Sequence, residues 1–199
     1  MTGTAIASEE FVVPRISPLT ESERHEMAAL GVLSPDGTMT RPPGLPIAPG
    51  IDRHAMHAPA VLNEAYHYAS AVAFSRGIRF ELGDKVLLLI SGTASVDEAG
   101  RTAHAGDFRA QLWRTYRNLT ALLSAEGATW HDIVRTTCYL RDIERDYRDF
   151  NDIRTAFFAW HRLDPLPAST GIQARLCRED LLVEIEAIAV MPRRPDAEA

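Results

Sequence analysis

The chain has 199 residues, of which 46% are hydrophobic and 24% are charged, and its formal net charge is −6 at pH 7. This length predicts one principal domain with a sizeable core, and the acidic balance argues against nucleic acid, because phosphate binding needs a basic face. No stretch approaches the roughly 20 apolar residues that span a bilayer, the N-terminus lacks the basic start and apolar run of a signal peptide, and two cysteines give no disulfide framework. We therefore expect a cytoplasmic protein with neither nucleic acid nor a membrane among its partners.

The first 57 residues differ in composition from the rest and are interpreted as a proline-rich N-terminal arm. The run RPPGLPIAPG at Arg41–Gly50 is extended and cannot form a central strand. Within the arm, LTESERHEMAALGVL at Leu19–Leu33 predicts one short helix, with Thr20 as its N-cap and Glu23 completing a capping box. Residues 58–192 are predicted to form the main domain, and residues 193–199 a flexible polar tail.

Hydrophobic periodicity in the main domain predicts the order β-β-α-β-α-β-β. The predicted strands are Tyr66–Leu82, Lys85–Ser95 and Asp132–Asp142, followed by a β-hairpin within Pro167–Val190. Asp107 is the expected cap of a helix whose apolar positions are spaced by threes and fours, and Gly127 is its expected end. A second amphipathic helix is predicted from about Arg145 to His161.

Two amphipathic helices can cover only one face of the predicted sheet. The strand Lys85–Ser95 is nevertheless apolar on both faces, with Leu87 and Leu89 on one side and Val86 and Leu88 on the other. An uncovered apolar face of this size is uncommon in a monomer. The pattern therefore predicts an oligomer in which sheet packs on sheet and clefts lie between the subunits.

Five sequence blocks identify a family resemblance: LISGTAS, GATWHDIVRTTCYLRDI, AFFAWH, LPAST and VEIEAIAV, in this order. Residues 58–192 thereby resemble the Rid/YjgF superfamily of reactive-intermediate deaminases. The resemblance implies an α+β, chorismate-mutase-like fold, in which a mixed β-sheet carries two helices on one face. It also implies a homotrimer with active sites between subunits, and hydrolysis of enamines or imines of small 2-amino acids without a metal or other cofactor.

One position departs from the archetypal pattern. Archetypal members have an arginine directly after the PA of the fourth block, LPAST, where it grips the substrate carboxylate, and this chain has Ser169 there. The segments YASAVAFSRG, SGTAS and PASTGI are more similar to the chorismatase branch, which cleaves an enolpyruvyl ether, although those enzymes usually have a longer N-terminal half. The alternatives to a deaminase are therefore a chorismatase-like enzyme and a non-catalytic, metabolite-binding trimer.

Glu184 matches the acid position of the superfamily and is the predicted catalytic residue. If the turn of the predicted hairpin lies at Glu179–Asp180, Arg175 lies opposite Glu184. Arg175 would then either pair with Glu184 in a structural role or hold the carboxylate of a small metabolite beside it. Burial would raise the pKa of Glu184 and keep a proton available for the carbon of an electron-rich alkene.

Further candidates for substrate binding come from the resemblance and from the predicted hairpin. The resemblance implies that Tyr68, Ser91 and Gly92 line the cleft. The hairpin adds Ser169, Thr170, Gly171, Gln173 and Cys177, although each also fits an ordinary strand position and Cys177 fits an inert small apolar residue. His54 and His57 have a spacing compatible with a metal, but no further ligand cluster accompanies them, so no metal site is predicted.

Overall fold

The computed structural model describes residues 19–34, 36–38, 40, 52–68 and 72–193. The chain divides into two compact units, Met1–Pro49 and Gly50–Ala199. The proline-rich run at Arg41–Gly50 and the polar tail after Arg193 lie outside the described residues.

In the first unit, the structure confirms the predicted short helix. Helix α1 spans Glu21–Ala29, and Thr20 is its N-cap. The backbone N–H of Thr20 donates to Glu23 Oε2 at 2.6 Å, while the backbone N–H of Glu23 donates to Thr20 Oγ1 at 3.2 Å. This reciprocal capping box satisfies two of the N–H groups that have no partner inside the helix.

The second unit contains a six-stranded mixed sheet in the order β1-β2-β3-β6-β4-β5. The elements are β1 Arg53–Ala55, β2 Gly77–Leu82, β3 Lys85–Ala94, α2 Phe108–Ala125, β4 Ile133–Leu140, α3 Ile143–Trp160, β5 Ala168–Gln173 and β6 Val183–Pro192, with 3₁₀ turns at Ala65–His67 and Trp130–Asp132. All neighbouring strands are antiparallel except β4 and β5, which are parallel. The predicted α+β class with a mixed sheet is therefore confirmed.

Helix α2 begins at its predicted cap, whereas α3 begins at Ile143, two residues before the predicted start. Asp107 caps α2 by accepting from the N–H of Ala110 at 3.0 Å, and Asp142 caps α3 by accepting from that of Arg145 at 3.0 Å. Both helices contribute apolar side chains to one core with the inward-facing residues of the sheet. On the opposite face of the sheet Leu89 is 42% exposed, so the described chain leaves this face uncovered, as the pattern predicted.

The predicted single strand Tyr66–Leu82 is wrong over its first part. Residues 65–67 form a 3₁₀ turn, and β2 begins only at Gly77. Before Gly77, the chain contacts β3 differently: the Ser91 side chain donates to the carbonyl of Ser75 at 2.8 Å, and the Ser91 N–H donates to that of Arg76 at 3.0 Å. The described apolar residues before Gly77, which suggested a strand, therefore lie outside the β-sheet.

The predicted closing hairpin is also wrong. β5 pairs in parallel with β4, and β6 lies between β3 and β4. The reason is burial: every second residue of β6 is buried, as the centre of a sheet requires, whereas all residues of β5 are exposed, as befits an edge. The sheet also starts earlier than residue 58, because Arg53–Ala55 pairs with β2.

We expect Met56→Ala to lower the free energy of unfolding of the second unit by about 2–5 kcal/mol, because Met56 is fully buried. Deletion of residues 1–49 removes none of the sheet and is expected to preserve a cooperative transition. Urea denaturation of both variants checks this. A non-cooperative transition in the deletion variant would show that the second unit needs the first.

Candidate active site

A β-bulge in β3 positions the candidate site. Ile90 pairs with Ala187 and Thr93 with Ile185, so β3 uses three steps where β6 uses two. The extra residue lies in Ser91–Gly92, and the bulge is held by the two hydrogen bonds from Ser91 described above. Bulges are frequent beside active sites because they redirect the chain locally.

The bulge makes room for the carboxyl group of Glu184. A Cβ atom built on Gly92 would lie 1.9 Å from Glu184 Oε1 and 2.8 Å from its Cδ. Only glycine therefore allows the carboxyl group to lie against the β3 backbone. A similar contact occurs at Gly100, where φ is +76° and a Cβ would lie 2.6 Å from the ring of Tyr68.

The environment of Glu184 favours its protonated form. Glu184 is partly buried on the open face of the sheet and has no hydrogen-bond or ion-pair partner among the described residues. Burial is the main cause that raises the pKa of Glu184, and the charge of Glu186 raises it further, while Arg76 opposes the shift. A carboxyl group held in this way can donate a proton at a pH above its usual range.

Arg76 is a buried cation in the same site. Its side chain is 5% exposed, its Nε donates to the carbonyl of Asn63 at 3.0 Å, and its Nη2 donates to the hydroxyl of Tyr68. The guanidinium also lies 5.1 Å from the ring centres of both Tyr68 and Phe74. No carboxylate among the described residues lies within ion-pair distance of it. Burial is the main cause that lowers the pKa of Arg76, and the charge of Glu64, which lies beyond ion-pair distance, acts in the opposite direction. A buried cation without a direct ion-pair partner is a group to which an anion could bind.

Tyr68 links these groups. Its hydroxyl donates to the carbonyl of Asn63 at 3.0 Å and accepts from Arg76. Burial raises the pKa of Tyr68, with Arg76 acting in the opposite direction. The phenol is therefore a neutral group that holds the guanidinium in place.

A cavity of about 720 Å³ joins the acid and the arginine. Its lining includes Tyr68, Phe74, Arg76, Gly92, Arg178 and Glu184. The guanidinium groups of Arg76, Arg101 and Arg178 and one carboxyl group thus face a single space. Such a space suits a small anionic molecule whose reacting atoms lie near Glu184.

The structure brings together some of the residues that the sequence singled out. Tyr68, Gly92, Cys177 and Glu184 line the cavity, and Ser91 lies in the adjacent bulge. Arg76 and Arg178 were missed, because residue type alone cannot distinguish a buried arginine from a solvated one. The only sequence signal for Arg76 was its place in the segment YASAVAFSRG, which is similar to the chorismatase branch.

The candidates on β5 lie elsewhere. Ser169 Oγ accepts a hydrogen bond from Thr136 Oγ1 at 3.1 Å and another from Arg154 Nη1 at 3.2 Å. Gln173 accepts from the N–H of Ile143 at the start of α3, at 3.1 Å. Thr170 accepts from Arg135 at 3.3 Å, and Gly171 lies beside Tyr147. None of these four lines the cavity that contains Glu184.

Arg175 does not lie opposite Glu184, so that prediction is wrong. The residues paired with Glu184 are Ala94 on β3 and Tyr139 on β4. Arg175 is exposed, in the segment that follows β5. The error follows directly from the incorrect hairpin.

Neither a metal cluster nor a membrane span is found in the part of the chain that the structure describes. No three His, Cys, Asp or Glu side chains converge there as metal ligands would. His54 lies 3.7 Å from Glu126 and His57 lies 3.1 Å from Glu64, so the two histidines contact different carboxylates. Within the same residues, every helix is too short or too polar to cross a bilayer.

Comparison with known proteins identifies the family. The sequence profile described as Endoribonuclease L-PSP matches residues 65–191, which is more than half of the chain. The chain belongs to the L-PSP (Rid/YjgF) family. The predicted superfamily is thereby confirmed.

Two curated relatives and one solved structure illustrate the similarity of this Rid protein to others. The 2-iminobutanoate/2-iminopropanoate deaminase of Salmonella typhimurium is 34% identical over 104 residues, which are 52% of this chain and 79% of the relative. The 3-aminoacrylate deaminase RutC of Acinetobacter baylyi is 29% identical over 103 residues, 52% and 78% of the two chains. The crystal structure of the YjgF gene product from E. coli is 27% identical, with a TM-score of 0.55 over 71% of this chain and 99% of that one.

The raised pKa of Glu184 predicts how the stability of this Rid protein depends on pH. The ordinary value is 4.5, so the folded state binds this proton more tightly than the unfolded chain does. The resulting stabilisation is present below the unfolded pKa and is lost as the pH rises through the folded pKa. We therefore expect Glu184→Gln to gain stability relative to the wild type as the pH rises above 4.5, the ordinary pKa of the carboxyl group.

Glu98→Gln is the control with the opposite sign. Hydrogen bonding from its own backbone N–H is the main cause that lowers the pKa of Glu98, so its stabilising contribution is present at high pH and lost in acid. Urea denaturation at several pH values measures both variants. A difference between Glu184→Gln and the wild type that does not change with pH would contradict the raised pKa.

Proposed function

We propose that this Rid protein hydrolyses enamines or imines of carboxylate-bearing substrates, with Glu184 as the proton donor and Arg76 as the group that binds the carboxylate. The observation that carries this proposal is the presence of both groups in one cavity, the acid with a raised pKa and the arginine buried without a counter-ion. The two relatives named as deaminases of imino or enamine acids support it. The net charge of −6 argues against RNA as the substrate, despite the description of the family profile.

The first step is proton transfer to carbon. In an enamine of a 2-amino acid, the double bond is electron-rich and conjugated with the carboxylate. Glu184 donates its proton to the terminal carbon of the double bond, which leaves an iminium ion and a Glu184 carboxylate. A substrate that arrives as an imine takes the Glu184 proton on its nitrogen instead, which gives the same iminium ion and the same Glu184 carboxylate.

Water completes the reaction. Water attacks the iminium carbon, and the Glu184 carboxylate accepts the proton that the water loses, which gives a carbinolamine. Glu184 then returns the proton to the nitrogen, the C–N bond breaks with release of ammonia, and the Glu184 carboxylate takes up the hydroxyl proton as the carbonyl forms. The balance is one enamine and one water converted into one 2-oxo acid and one ammonia, with Glu184 regenerated.

Arg76 has two effects on this chemistry. It binds the substrate carboxylate, which holds the conjugated double bond beside Glu184. In the free protein Arg76 also lowers the pKa of Glu184, against the effect of burial. Once the substrate carboxylate neutralises the guanidinium, this opposing effect weakens, so substrate binding increases the tendency of Glu184 to hold its proton.

Arg76 also accounts for the serine at position 169. The carboxylate-binding arginine that the superfamily pattern places there is absent, and Ser169 does not line the cavity of Glu184. Arg76 supplies an equivalent charge from the chain that precedes β2. The carboxylate-binding function therefore does not require an arginine on β5.

A second candidate function is cleavage of an enolpyruvyl ether, as in the chorismatase branch. An enol ether of this kind is also an electron-rich alkene conjugated with a carboxylate, so the same proton transfer begins its hydrolysis. The volume of about 720 Å³ favours this candidate, because it exceeds what a three-carbon enamine needs.

The decisive test is Glu184→Gln, which preserves the size of the side chain but cannot deliver a proton to carbon. The purified protein is first assayed for ammonia or pyruvate release from 2-aminoacrylate generated in situ, 2-aminomuconate and chorismate. On the substrate that turns over, we expect kcat/KM of Glu184→Gln to fall by about 10²–10⁴-fold.

Glu186→Gln is the matched control, because Glu186 lies on the same face of β6 but does not line the cavity. The charge of Glu186 is a smaller cause of the raised pKa of Glu184 than burial is, so Glu186→Gln is expected to retain most of the activity. Full activity in Glu184→Gln would refute acid catalysis by this residue. Binding of carboxylates without turnover of any substrate would favour the non-catalytic, metabolite-binding alternative.

The same proposal includes a homotrimer with the sites in clefts between subunits. The uncovered face of the sheet, where Leu89 is 42% exposed, supports it. We expect sedimentation equilibrium to give a trimer, and Leu89→Glu to weaken it by placing a charge on this face. Trp160→Glu, on α3 at 77% exposure, is the control that should leave the trimer intact. A wild-type protein that sediments as a monomer would contradict the shared cleft.

A further inference from the structure

Arg178 is a second cation in the cavity that contains Arg76. It lies in the segment between β5 and β6, and its Nη1 donates to the carbonyl of Gly100. Its own carbonyl accepts from Arg141 Nη2, which fixes the backbone at this point. Arg178 has no ion-pair partner among the described residues, and it lines the same space as Glu184.

The charge in this cavity is not balanced. Its lining contains three arginines and one carboxylic acid, which are Arg76, Arg101, Arg178 and Glu184. Arg101 is paired with Asp97 at 2.8 Å and is 80% exposed, so its charge is already neutralised and solvated. Glu184 is the only carboxyl group among these four, and burial raises its pKa. Neither Arg76 nor Arg178 has an ion-pair partner among the described residues, and Glu64 acts on Arg76 only from beyond ion-pair distance.

The two arginines also repel each other. Burial is the main cause that lowers the pKa of Arg76, Tyr68 and Glu64 act in the opposite direction, and the charge of Arg178 has a smaller lowering effect. The charge of Arg178 also lowers the pKa of Tyr68, the residue that holds Arg76. Two like charges that face one cavity destabilise each other, and two anionic groups would relieve this repulsion.

We infer that the substrate is a dicarboxylate, with the carboxylate next to the reacting carbon on Arg76 and a second carboxylate on Arg178. This inference rests on the proposed function, because it assigns the reacting end to Glu184 and Arg76. The rest of the lining is largely apolar and includes Val72, Phe74 and Leu181. A carbon chain with a carboxylate at each end fits this combination of charge and apolar surface better than a polyphosphate does.

The volume of the cavity agrees with a longer substrate. Cavities of roughly 300–1,000 Å³ usually hold ligands much larger than a three-carbon acid, and this cavity measures about 720 Å³. A monocarboxylate with a short side chain would leave Arg178 without a counter-ion. A second carboxylate on a longer carbon chain would therefore fill more of the cavity and would also supply a counter-ion for Arg178.

The test compares two imines that differ only at the far end. An L-amino acid oxidase generates 2-iminoglutarate from glutamate and 2-iminopentanoate from norvaline, so both have five carbons but only the first has a second carboxylate. We expect the wild-type protein to have a kcat/KM at least about 10-fold higher for 2-iminoglutarate, which is the usual effect of one charge-assisted hydrogen bond. Arg178→Gln should remove this preference through a loss on 2-iminoglutarate of about 10- to 100-fold.

Two further variants separate the subsites. Arg76→Gln should impair both substrates, because both present a carboxylate next to the reacting carbon. Arg175→Gln, three residues before Arg178 and exposed outside the cavity, should preserve the wild-type preference. An equal loss on both substrates in Arg178→Gln, or a wild-type preference for 2-iminopentanoate, would overturn the inference and leave the proposed function in place.

Calorimetric titration with the unreactive 2-oxoglutarate and 2-oxopentanoate tests the case in which the protein binds a dicarboxylate but hydrolyses neither imine. If neither imine turns over, but 2-oxoglutarate binds at least about 10-fold more tightly and Arg178→Gln abolishes the difference, the dicarboxylate site stands and the proposed catalysis fails. If neither turnover nor preferential binding of 2-oxoglutarate is seen, both are refuted.

Discussion

The position of β6 between β3 and β4 is the constraint on which both the core and the site depend. Val183, Ile185 and Ala187 are buried on the helical side of the sheet, and the strand's alternation places Glu184 and Glu186 on the opposite face. A shift of one residue in the register of β6 would bury these carboxylates in the core and expose the apolar row. The energy of core packing therefore also fixes the location of the acid.

The site itself depends on a charge that the protein does not neutralise. Arg76 is held by the carbonyl of Asn63, the hydroxyl of Tyr68 and two aromatic rings, none of which carries a negative charge. Removing a cation from water in this way opposes folding. An anionic ligand would supply a direct ion-pair partner for this cation, and under the proposed function its binding would stabilise the folded state.

The local elements of this fold follow from the sequence, whereas the pairing of its last strands does not. The caps Asp107 and Asp142 and the end of α2 near Gly127 depend on residues within one turn of each other, which periodicity and capping preferences describe well. The Pro167–Val190 segment also contains two strands joined by a polar connection, which is the pattern of a hairpin. The choice between a hairpin and a parallel pair with β4 depends on which strand gains more from central burial, and this is a property of the whole sheet.

The same distinction applies to the candidate site. Glu184, Tyr68 and Gly92 were identified because a family pattern marks their positions, and the cavity unites them. The prediction that Arg175 faces Glu184 depends on a hairpin that the structure does not contain. The arginine that lines the cavity is Arg178, three positions later. Arg76 could not be recognised, because its burial depends on Asn63 and Tyr68 folding over it from a separate turn.

The turn at Asp97–Arg101 contacts both Tyr68 and Arg178. Asp97 holds this turn closed through the N–H groups of Ala99 and Arg101, at 3.0 and 2.8 Å. Within it, the Cα of Gly100 packs on the ring of Tyr68, and its carbonyl binds Arg178. One peptide unit thus touches the supports of both arginines. This short loop is therefore one of the supports that the two cationic groups have in common, and a change in its conformation would shift both arginines without moving Glu184 on β6.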